Sequence, residues 1–186
     1  MNLVQHIDHV DRDSLMNSAP HGTKVFHTGE WVFDASRTVA RITAMTIFGW
    51  RLHVDLSARS EEPAVVDDEG RLRHVNLSLL AGSVSSGSRR RDRRLRGPAF
   101  LDADAFPTIG FVGSGNDDVV SGIMSAKGRP SPVSFVATNA TLQPDSSLDF
   151  SCEGRIMLKS LGLGKLAHSV VGPEATFQAC GVAYPA

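Results

Sequence analysis

From Trp31 onward, apolar and polar residues alternate almost one for one, and this rhythm limits what the chain can become. Leu52, Val54, Leu56 and Ala58 alternate with Arg51, His53, Asp55 and Ser57. Val75, Leu77, Leu79 and Ala81 alternate with His74, Asn76, Ser78 and Leu80. The same period returns over 133–138, 148–159 and 177–182. Side chains of a strand point to opposite faces in turn, so each run predicts a strand with one buried and one wet face. Between the runs stand turn-forming segments: Asp67-Asp68-Glu69-Gly70, Gly115-Asn116-Asp117-Asp118, Lys127-Gly128-Arg129-Pro130 and Pro144-Asp145-Ser146-Ser147. Short strands joined in this way predict an antiparallel all-β domain.

No long amphipathic helix is present to cover such a sheet, so the sheet must cover itself, as a sandwich or a closed barrel. Counting from Trp31 gives about eight strands, the number that suits a small barrel. Several inward positions are small, among them Ala58, Ala81, Ala137, Gly154, Ala179 and Gly181. Beside Phe135, Phe150 and Phe177 they leave room for a cavity, but alternating large and small residues fill a solid core equally well. The segment 39–50 is apolar on both parities, with Ile42, Ala44 and Phe48 on one and Val39, Met45 and Ile47 on the other. Such a strand is expected to be strongly bent, covered by the preceding leader, or part of a contact between two copies of the chain.

The one break in the strand pattern lies at 83–111. Arg89–Arg96 carries six arginines in eight positions, and Gly97-Pro98 stops any helix they form. Asp92 stands four residues before Arg96, the spacing of an ion pair on a helix. Outside this segment 13 basic residues face 19 acidic ones, so the arginines form a positive spot on an acidic body. The overall net charge of −1 argues against a dedicated nucleic-acid binder. The arginines have three readings: a phosphate contact, a latch in which Asp92 pairs with an arginine while Leu95 packs inward, or a solvated loop.

The string Arg91-Asp92-x-x-Leu95-Arg96, Phe100-Leu101-Asp102, Phe106-Pro107-x-Ile109-x-Phe111 resembles the signature of the YceI-like, polyisoprenoid-binding proteins. Arg94, Leu101 and Phe106 depart from its usual histidine, phenylalanine and tyrosine. The resemblance extends to Gly29-x-Trp31-x-Phe33-Asp34, to Gly128-x-x-x-x-Val133 and to Ser160-Leu161-Gly162-Leu163, where Leu161 replaces a phenylalanine. It implies an eight-stranded lipocalin-like barrel, with a short basic helix or loop between strands, whose lumen holds a long apolar chain such as a polyisoprenoid or a quinone tail. The barrel would occupy 29–186, with 1–28 as a leader or strap.

Lumen candidates are Phe100, Phe106, Ile109, Phe111, Phe135, Phe150, Ile156 and Phe177, each of which also suits an ordinary core. Arg91, Asp92 and Leu95 carry the motif and are read as structural. A chain of about forty carbons held by area alone would gain on the order of 10 kcal/mol, with little selectivity for the head group. Catalysis is not expected. There is no GxSxG, the seven histidines are scattered, and Asp102 and Asp104 sit in a turn where carboxylates commonly cap backbone. His6 and His9, near Asp8 and Asp11, have one-turn spacing but no third ligand, so neither a metal nor any cofactor is expected.

Cys152 and Cys180 fall on opposite strand faces and give no disulfide framework. The N-terminus shows no secretory pattern, so the expected setting is cytoplasmic. The expected partner is a long-chain lipid or isoprenoid, with no nucleic acid and with a homodimer admitted by the two-sided segment. The alternative is a filled β-barrel that docks a protein or serves a stress response without a ligand.

Overall fold

A computed structural model describes residues 26–163 and 171–186. His6, Asp8, His9 and Asp11 lie outside them. The strands run in chain order: β1 (Gly29–Phe33), β2 (Val39–Thr46), β3 (Arg51–Ser60), β4 (Ala64–Val66), β5 (Leu72–Leu80), β6 (Thr108–Asn116), β7 (Val119–Ala126), β8 (Arg129–Leu142), β9 (Leu148–Met157) and β10 (Val171–Pro185). Every pairing is antiparallel. The ring passes β5-β3-β2-β10-β9-β8-β7-β6 and closes where β6 pairs β5 over 72–80 and 108–115.

This is the expected eight-stranded barrel, because the two remaining strands continue others. β1 and β2 both pair β10, β1 at 183–185 and β2 from 180 back to 171. β3 and β4 both pair β5. Each of these pairs is one barrel strand with an irregular insert, 34–38 in the first and 61–63 in the second. In the first insert Asp34 accepts hydrogen bonds from the amide and hydroxyl of Ser36, at 2.9 and 2.6 Å.

The segment 39–50 is not one long strand. β2 ends at Thr46 and a turn through Gly49, at φ 78°, leads into β3. The two-sided apolar pattern has two sources: Val39 and Met45 lie on the exposed face of β2, and Ile47 and Phe48 sit on the turn, not in the sheet.

α1 (Arg89–Arg96) is the α-helix of the described residues, and it crosses one end of the ring between β5 and β6. Residues 81–85 first run back along β3, with Asp55 and Ser85 exchanging backbone hydrogen bonds of 2.8 and 2.9 Å. Inward side chains from all eight barrel strands form a single apolar core. No helix among the described residues is long and apolar enough to cross a membrane.

Candidate functional site

The core is not completely filled. A cavity of about 120 Å³ lies toward the end where β1 and β4 sit, and a second of about 80 Å³ lies under α1. Phe111, Phe135, Phe150 and Phe177 line the larger one, together with Trp31 and Phe33. Its rings touch: Phe135 and Phe177 have centroids 4.7 Å apart, and Phe111 and Phe135 5.4 Å. Phe100 and Leu95 line the smaller one, with Leu52, Leu158 and Val171.

The remaining lumen candidates line neither cavity. Ile109 and Ile156 are buried at 5% and 1% exposure. Ile156 lies between Cys152 of the larger cavity and Leu158 of the smaller; Ala175 lies likewise between Phe177 and Val171. Ile156 and Ala175 therefore stand at the height between the two spaces. Phe106 stands outside the lumen, near Gly128 of the β7–β8 turn. Parity told inward from outward, but not the height along the barrel axis that decides which inward residue meets empty space.

The motif residues tie α1 down. Asp92 accepts the amide and hydroxyl of Ser86 at 2.8 and 2.5 Å, and Arg91 donates to the same hydroxyl and to the Ser86 carbonyl. The Ser86 hydrogen bonds hold the Asp92 carboxyl below the usual carboxylate range, with Arg96 and Arg91 adding a smaller pull. Arg96 does not bond Asp92 as its spacing suggests; it donates to the Val84 carbonyl at 3.2 Å. The helix is thus fastened to the segment 84–86 that precedes it, and Leu95 plugs the lumen. Asp102, at φ 52°, accepts from Ala105 and Phe106 with its backbone carbonyl.

Sequence reasoning missed Thr38. It is 1% exposed, lines the larger cavity, and its Oγ1 has no hydrogen-bond partner among the described residues. A threonine in a short insert between two strands carries no parity, so no sequence signal pointed to it. Phe26 and His27 also line this cavity, and the His27 carbonyl accepts the Trp31 indole N–H at 2.8 Å.

Cys152 faces the larger cavity and Cys180 faces solvent, both as free thiols. Burial pushes the Cys152 pKa up to about 11 from an ordinary value of 9.0. The thiolate is the reactive form, so a haloacetamide near neutral pH should modify Cys180 and spare Cys152, read by peptide mass spectrometry. Unfolding returns Cys152 to its ordinary pKa. Between pH 9.0 and about 11 the unfolded chain therefore binds fewer protons at this site, and stability falls as pH rises through that window. A Cys152→Ala variant should lose this part of the alkaline slope. Among the described residues no three His, Cys, Asp or Glu side chains gather to hold a metal.

The YceI-like domain profile matches residues 25–182. A search of the curated proteins finds no match. Among solved structures, BcnA of Burkholderia cenocepacia superposes with a TM-score of 0.62 at 17% identity, over 81% of this chain and 98% of that one. A polyisoprenoid binding domain from Saccharophagus degradans, implicated in plant cell wall breakdown, gives 0.60 at 11% identity, over 86% and 100%. The YCEI protein of Campylobacter jejuni gives 0.50 at 11%, over 95% and 97%.

Proposed function

Because the chain belongs to the YceI-like domain family, we propose that its barrel holds the hydrocarbon part of a long-chain lipid, an isoprenoid or isoprenoid quinone, as carrier or store and without catalysis. The observation that carries this reading is the apolar cavity ringed by Phe111, Phe135, Phe150 and Phe177 inside a closed ring of strands. The polyisoprenoid binding domain from Saccharophagus degradans supports the ligand class by analogy.

The cavity sizes say how the ligand would enter. An apolar cavity of about 150 Å³ holds one benzene. Spaces of about 120 and 80 Å³ are contracted for a long chain. Binding therefore requires the layer that contains Ile156 and Ala175 to move and the two spaces to merge. Side chains in staggered wells can make such a move, while the ring of backbone hydrogen bonds stays in place.

Thr38 supplies the polar end. A buried hydroxyl left unpaired costs about 1–3 kcal/mol, a penalty that a carbonyl or hydroxyl of the ligand would relieve. Thr38→Val, which keeps the shape, should raise the stability of the empty barrel, measured in urea. It should weaken binding of a quinone or polyprenol about fivefold or more, and leave binding of a plain hydrocarbon of equal length unchanged. Equal loss for all three ligands would rule out this role for the hydroxyl.

The reading is tested by extracting the purified protein with organic solvent and weighing the extract, with heat-denatured protein as control. A near-stoichiometric long-chain lipid is the expected result. No lipid, even after incubation with quinones and polyprenols, would sink it. The small size of both cavities favours a second reading, a filled barrel that binds another protein, and an empty extract would select it.

A further inference from the structure

The two ends of the barrel carry opposite charge. Strand directions place the turn 47–50, the segment 81–107, the turn 127–128 and the stretch 158–163 at one end. Within the described residues these connections hold the six arginines of α1, Lys127 and Lys159, against Asp92, Asp102 and Asp104. The connections at the other end, 61–63, 67–71, 116–118 and 143–147, carry eight carboxylates against a single arginine, Arg71. Three of these carboxylates are engaged by arginine: Glu61 by Arg59 and Asp67 by Arg73, from the adjoining strands, and Asp67 and Glu69 by Arg71 within the turn.

At the basic end the side chains of Arg89, Arg90, Arg93 and Arg94 are exposed and make no hydrogen bond or ion pair among the described residues. Beside them projects the β2–β3 turn. Ile47, Phe48 and Trp50 on it are 61%, 71% and 75% exposed, and Met45 just before it is 48% exposed. The rings of Phe48 and Trp50 lean on one another with centroids 6.4 Å apart, and nothing else of the described core covers them. The tip and α1 are neighbours, since Leu95 shares the smaller cavity with Leu52 and with Val171, which pairs with Thr46.

We propose that this end docks on an anionic phospholipid surface, the arginines of α1 meeting lipid phosphates while Phe48 and Trp50 enter the interface. Guanidinium forks fit phosphate geometry, and Trp and other aromatic rings settle at the boundary between head groups and acyl chains. Basic groups near such a surface each contribute on the order of 1 kcal/mol, an attraction that salt screens. The acidic far end orients the approach, because it is repelled by the same surface. Bases of a nucleic acid could stack on the rings, but Met45 and Ile47 have no role there, whereas both suit acyl chains. The docking rests on the charge and the apolar tip of this end, and does not depend on what the lumen holds.

The test uses vesicles of phosphatidylcholine with and without phosphatidylserine, and no isoprenoid. The protein should sediment with the phosphatidylserine vesicles in low salt and release in high salt. Trp50 emission should shift to the blue on binding, over a constant background from buried Trp31. Replacing Arg93 and Arg94 together with alanine should weaken partition about 30-fold, taking each arginine at its usual contribution. Trp50→Ser should abolish the emission shift and weaken partition, and both variants should melt where the parent melts. Failure to bind anionic vesicles, binding without movement of Trp50 emission, or tighter binding to a DNA duplex than to the vesicles would each overturn the proposal. An empty lumen in the extraction experiment would leave this result unaffected.

Discussion

Gly122→Ala should lower the melting temperature by about 10 °C, while Gly110→Ala, a few residues away across the same pair of strands, should leave it near the parent value. Gly122 and Gly113 face each other across β7 and β6. A Cβ on Gly122 would press on the Val112 carbonyl oxygen, and would stand 2.6 Å from the Gly113 Cα and 2.9 Å from the Val112 carbonyl carbon. All three are backbone atoms held by the ladder, so they can yield only by breaking strand hydrogen bonds. Overpacking of this kind costs about 3 kcal/mol, the upper end of its usual range, when the neighbours cannot repack. The Gly110 position has nothing within 4 Å of an added Cβ, and it serves as the control for glycine removal as such. A thermal melt of the two variants decides the matter; equal melting points would mean that the strands separate more easily there than the geometry implies.

Ile156→Ala carries the second large effect, and it has two parts of opposite sign. Ile156 is 1% exposed and belongs to the layer between the two cavities. Truncation should cost the empty protein about 2–5 kcal/mol, from lost burial and from the space left behind. The same truncation removes part of the partition, so the merged lumen should accept a lipid with less rearrangement. A ligand that binds only the folded form stabilises it by about 2.7 kcal/mol at a hundred times its dissociation constant. A saturating polyprenol should therefore raise the melting temperature more in the variant than in the parent, and the variant should co-purify with longer chains. An equal ligand-induced gain in both proteins would show that Ile156 does not gate the lumen.

Much of the architecture was legible in the order of residues. Alternation named the inward faces of β3, β5, β8, β9 and β10, because a barrel wall has one dry side and one wet side along its whole length. Lys127 and Gly128, at φ 50° and 69°, form the tight turn that joins β7 to β8, as the segment's composition suggested. The arginine-rich helix and its stop at Gly97 were equally plain. Other features depended on distances that no periodicity encodes. The irregular inserts at 34–38 and 61–63 interrupt barrel strands without interrupting the ring. Thr38 is buried because one insert folds over the lumen against Gly181, where a side chain larger than glycine's would strike Thr38. The tip 47–50 read as strand because it is apolar, and it is apolar without being buried. The motif pair Arg91 and Asp92 pointed to a latch, yet the partner is Ser86, a residue whose small size concealed its role.

The ring closes through β10, which pairs β9 on one side and β2, then β1, on the other. β10 also follows every other strand in the chain. Until it leaves the ribosome, the sheet has two raw edges, one at β9 and one along β2 and β1, each a row of unpaired N–H and C=O groups. Such edges recruit strands from other chains. Pairings between residues far apart in sequence also form slowly, since the loop must close before any contact repays it. The nascent barrel is therefore most prone to aggregate in the interval after β9 has emerged and before β10 has, when nearly all of its hydrophobic wall exists and this stave is missing.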